Sequence, residues 1–148
     1  MNDEQRDYGS IWRHLAYARH DEVKALADKG VRNWKGTVDH QAARLALGDY
    51  KLECFAEGLR DKMSAPWFAP AEWDELRLYL LEKHHWSLNC VRRLKSREDF
   101  LFALHPELHS LRLTPEQSAP VREWVRNLSV RDEIAPHLAP QTSASPES

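Results

Sequence analysis

Apolar residues recur at intervals of three and four along most of the chain, and no stretch alternates strictly between apolar and polar positions. That spacing is the signature of amphipathic helices. Ser10 is placed to cap a helix running to about residue 29, with Gly30 as its left-handed stop. Its apolar side is Ile11, Leu15, Ala18, Ala25 and Leu26. Asp21, following His20, is a second capping position and marks a point where this helix can break.

Thr37 caps a long helix predicted over 37–63. Val38, Ala42, Leu45, Leu52, Ala56, Leu59 and Met63 share one face at about 100° per residue. Ala43, Leu47, Tyr50 and Cys54 form a second apolar stripe. A helix apolar on two sides belongs at the centre of a bundle. The prolines of "SAPWFAP" then break the chain, and the spacing predicts helices over 71–94 and 97–104. Thr114, Pro115 and Gln117 form a capping-box start. A last helix follows over 120–128, with a short turn at 131–138. From residue 139, "APQTSASPES" offers no apolar face and reads as a disordered tail. The expectation is an all-α protein: a compact single-domain bundle of about five helices over 1–138 and a tail over 139–148.

The stretch "LEKHHWSLNC" carries the most chemistry. On a helix over 71–94, His84 falls among Trp73, Leu76, Leu80, Ser87, Leu88, Val91 and Leu94. His85 lies about 100° away with Glu82 and Asn89, and Trp86 groups with Tyr79 and Cys90. Adjacent histidines on a helix do not converge on one ligand. Glu82 and His85 form a Glu-x-x-His pair, the spacing by which helical bundles hold metal. His105 and His109, four apart, are another pair able to chelate. Together Glu82, His85, His105 and His109 define a metal-site alternative.

Asp49 falls inside the main apolar stripe of the 37–63 helix. A buried carboxylate there requires a partner, and His84 is the residue expected to meet it in a buried polar pair.

Composition narrows the function classes. Apolar residues make up 42% and charged residues 30% of 148 residues, which fits a soluble globular protein. The uncharged apolar runs are too short to span a bilayer, and the N-terminal residues are polar and acidic, unlike a secretory signal. Two cysteines, Cys54 and Cys90, are too few for a disulfide framework, so the expected location is cytoplasmic. The net charge of −2 argues against a general nucleic-acid coat while leaving room for local basic patches. Two such patches exist: Lys29, Arg32 and Lys35 around Trp34, and Arg92, Arg93, Lys95 and Arg97.

No catalytic or cofactor motif stands out, and no cofactor is expected. Six tryptophans raise the expectation of a binding surface, with Trp34, Trp67, Phe68 and Trp124 as the anchors. The leading reading is a non-enzymatic helical module that binds another protein as adaptor, inhibitor or subunit. The first alternative is a nucleic-acid-binding accessory protein using the two basic patches, and the second is a small metal-dependent protein.

Overall fold

The computed structural model describes residues 7–140. Among them the chain is all-α, with eight helices and no β-strand. The chain divides into two packed units: one from the chain up to Tyr50 and from Arg112 onward (unit 1), the other Lys51–Leu111 (unit 2).

Unit 1 contains α1 (Tyr8–Asp28), the first half of α2 (Val38–Lys62), α7 (Pro115–Val125), α8 (Arg131–Ile134) and a 3₁₀ turn at Ala135–His137. Helix α1 starts earlier than Ser10: Asp7 is the cap, and its carboxylate accepts from the Ser10 N–H at 3.0 Å. It runs through His20–Asp21 without a break. Its end is as expected. Gly30, at φ 88°, lets its own N–H reach Ala27 O and that of Val31 reach Leu26 O, the Schellman arrangement.

The buried stripe of α1 is Trp12, Leu15, Ala16, Val23 and Ala27, while Ala18, Ala25 and Leu26 are exposed. The helix is therefore rotated from the expected phase, and the reason is Trp12. Its ring, 1% exposed, packs edge-on against Tyr50 and Trp124, removing far more apolar surface than alanines could. That rotation carries Arg19, on the same stripe, towards α2.

Helix α2 is buried on both sides, through Ala42, Ala43, Ala46, Leu47, Tyr50, Leu52, Cys54, Ala56 and Leu59. Thr37 caps it, with His40 as the reciprocal partner: Thr37 Oγ1 accepts from the His40 N–H, and His40 Nδ1 accepts from the Thr37 N–H, both at 3.2 Å. Thr114 and Gln117 close the expected capping box on α7, and this helix includes Pro120 rather than starting there. Ala139, expected to open the disordered tail, is packed instead. Its N–H donates to Ser118 Oγ at 2.8 Å, and its carbonyl accepts from Arg122 at 2.6 Å. Residues 141–148 lie outside the described residues.

Unit 2 contains the rest of α2, then α3 (Asp74–Lys83), α4 (Leu88–Arg92), α5 (Arg97–Ala103) and α6 (His105–Ser110). Its core is Leu52, Ala56, Leu59, Trp73, Leu76, Leu80, Val91, Phe100, Leu104 and Leu108. The helix expected over 71–94 is two helices. Trp73, at φ 71°, opens α3 with its ring buried, and His85, at φ 58°, ends it. Left-handed backbone at a non-glycine residue is uncommon and costs about 1–2 kcal/mol, so the side-chain burial at Trp73 outweighs a local strain. Ser87 then caps α4 through the Cys90 N–H at 3.2 Å.

Candidate functional site

The histidine pair sits at a helix end. His84 is the C-cap residue of α3 and is exposed, so it does not lie in the core stripe, and the expected Asp49–His84 pair does not form. Its Nε2 is instead paired with Glu107 Oε2 on α6. The Tyr79 hydroxyl donates to the same oxygen at 3.1 Å. Burial alone would push the Glu107 carboxyl up, but hydrogen bonds from His84, from its own backbone and from Tyr79 together hold it below its usual value. Burial and the neighbouring Glu107 push the Tyr79 hydroxyl up. These three side chains tie the end of α3 to α6.

Asp49 is buried as expected, at 2% exposure, but its partner is Arg19. Arg19 Nε donates to Oδ2 at 2.6 Å and a terminal nitrogen to Oδ1 at 2.9 Å, a bidentate fork. The hydrogen bond to Asp49 raises the Arg19 guanidinium above its usual range. The periodicity placed Asp49 on the right face and left its partner unspecified, because the partner depends on the rotation of α1.

From residue 82 to 90, nine consecutive positions are exposed. They include Trp86 at 36%, Leu88 at 47% and Cys90. Four of the eight residues expected to bind nucleic acid are in unit 2. Arg92, Arg93 and Lys95 are exposed, and no carboxylate among the described residues pairs with them. Arg97 is half-buried, bonded to Glu53 at 3.2 Å and set over the Trp73 ring at 5.8 Å, so it is structural. The other four, Lys29, Arg32, Lys35 and Trp34, belong to unit 1. The three cations are exposed and Trp34 is half-buried.

Of the four aromatic anchors, Trp67 stands out at 86% exposure, while Phe68 is half-buried beside the Ala65–Phe68 bridge. Trp124 is packed against Trp12 and Tyr17. Phe102, not singled out by periodicity, is 84% exposed on α5. Its neighbours Phe100, Leu101 and Ala103 supply the core contacts, so the helix period did carry the information that Phe102 points away.

Among the described residues no three of His, Cys, Asp and Glu gather closely enough to hold a metal ion. Glu82 is exposed on α3, and His85 is exposed in left-handed backbone just beyond it. His105 and His109 are exposed neighbours within α6, their ring centroids 5.9 Å apart. In unit 1 a surface groove of about 840 Å³ lies along α7 and the following segment. Its cations are already engaged: Arg122 with Ala139 O, Arg126 with Glu123, and Arg131 with Arg126 O and Asp132. No described helix is long and apolar enough to cross a membrane.

Comparison with protein-family models, with curated proteins and with solved structures found no significant match.

Proposed function

We propose that this protein is a small helical docking module that acts by binding another protein, with unit 2 supplying the contact surface. The observation that carries this reading is the exposure of Trp67 and Phe102 at 86% and 84% in a unit whose own apolar core is filled without them. Aromatic rings of this size contribute most of the binding energy where they enter a partner. Trp67 sits in a short turn between Pro66 and Pro70, which limits the conformational entropy lost when it is captured. Trp86 and Leu88 are further exposed apolar residues of the same unit. Cys54 and Cys90 carry thiols rather than a disulfide, which suits a reducing compartment such as the cytoplasm.

The test is capture from the native host by the tagged full-length chain, followed by reconstitution of the complex from purified components. Wild type should hold a partner in stoichiometric amount. Trp67→Ala/Phe102→Ala should lose it while keeping the wild-type far-UV circular dichroism. Equal binding by the folded double variant would remove the argument.

A further inference from the structure

We propose that residues 83–97 of unit 2 form a docking face for an acidic protein segment that also carries apolar side chains. This inference rests on the docking reading and adds the chemistry of the partner. The charge is segregated: five of the 21 Lys and Arg residues lie within 83–97, and none of the 23 Asp and Glu residues does. The remainder of the chain therefore carries a formal charge of −7, against +5 here. Arg97 is neutralised by Glu53. Lys83, Arg92, Arg93 and Lys95 are exposed and have no carboxylate partner among the described residues.

The face is built rather than loose. The pairing of His84 with Glu107 fixes its start. Ser87 caps α4, and Val91 plugs the core at 1% exposure. At the far end Arg77 grips the Leu94 carbonyl at 2.7 and 3.1 Å. Among the side chains left in water are Trp86, Leu88 and the cations, beside His85, Asn89 and Cys90. Leu88 and Arg92, four apart on α4, are neighbours on one side of that helix. Exposed apolar side chains interspersed in sequence with uncompensated positive charge match a partner that carries apolar anchors among carboxylates.

A nucleic acid fits less well. Four cations limit how many phosphates the face can neutralise, and with them the counterion release that drives nucleic-acid binding. Leu88 and Trp86 are exposed apolar surface that a phosphate backbone leaves unused, and they favour a partner with apolar anchors of its own.

The experiment measures fluorescence anisotropy of three labelled probes added to the full-length protein. The probes are a 16-residue helical peptide of Glu and Leu, a polyglutamate of equal charge, and a 16-nucleotide oligothymidylate. The Glu–Leu peptide should bind tightest, and added salt should weaken it. Arg92→Glu/Arg93→Glu should weaken it roughly tenfold or more. Leu88→Ser should weaken it while leaving the polyglutamate unchanged, and Lys62→Glu, elsewhere on α2, should have no effect. Arg92→Gln/Arg93→Gln serves if the charge reversal perturbs folding. No binding of the Glu–Leu peptide, equal binding of polyglutamate, or tighter binding of the oligonucleotide would each overturn the proposal. A host partner captured through Trp67 and Phe102 with no peptide bound refutes this face alone. Peptide binding with no partner captured refutes only the reading built on those two rings.

Discussion

Replacing Arg19 by methionine strands the Asp49 carboxylate in a buried site without either of its guanidinium donors. Asp49 is 2% exposed, and Arg19 holds both of its oxygens, at 2.6 and 2.9 Å. Removing one partner of a buried ion pair costs about 3–5 kcal/mol, whereas replacing both with apolar residues of similar size is often close to neutral. Arg19→Met should therefore destabilise by about 3–5 kcal/mol. Asp49→Leu should cost less, because the Arg19 side chain is 14% exposed and keeps Glu22 at 2.8 Å. Arg19→Met/Asp49→Leu should be more stable than Arg19→Met alone. Urea unfolding checks this, provided fluorescence and circular dichroism trace the same transition. The double-mutant cycle should give a coupling energy of about 2 kcal/mol or more, near the upper end for contacting pairs. If both single variants cost under about 1 kcal/mol and the double equals their sum, the pair behaves as a surface contact and the reasoning fails.

Three further outcomes follow from named contacts. The carboxyl of Glu107 is depressed, so its contribution to stability is complete above about pH 4.3, where a free glutamate titrates. It is lost as the pH falls through the lower folded value, and Glu107→Gln should flatten the acid side of a stability–pH curve measured by thermal unfolding. Gly36 has φ 88°, and a Cβ there would collide with the His40 imidazole that caps α2. Gly36→Ala should therefore lower stability by about 1–2 kcal/mol, and an unchanged urea midpoint would contradict the capping geometry. His85 holds left-handed backbone at φ 58° with an exposed side chain. His85→Gly should raise stability by about 0.5–1 kcal/mol in the same assay, and a loss would show that the imidazole makes a stabilising contact.

Where the determinant of structure is local, the sequence displays it. Gly30, Thr37 and the Thr114–Gln117 box are each recognisable within four residues of the helix end they control. Helix identity survived for the same reason. The break at His84–His85 was hidden because Leu88, Val91 and Leu94 resume the apolar spacing in phase with Leu76 and Leu80, and no glycine or proline marks the stop. Ser87, three residues ahead of Cys90 with its hydroxyl accepting from the Cys90 N–H, was the one available signal. Partners of buried charge were less legible still. The Arg19–Asp49 contact spans thirty residues and depends on how Trp12 rotates α1, which no single-helix pattern encodes. The exposure of Trp67 is likewise set by what fails to pack over it.

The division of the chain has a consequence for synthesis. Unit 2 is continuous, Lys51–Leu111, whereas unit 1 needs segments from both sides of it. Trp12 meets Trp124, and the Tyr50 hydroxyl reaches the Gln117 carbonyl at 2.6 Å, only after the last quarter of the chain exists. On a ribosome, unit 2 can close while α1 still lacks α7. Until α7 emerges, the part of the Trp12 face that Trp124 covers stays open in the nascent chain, transient apolar surface of the kind that chaperones shield.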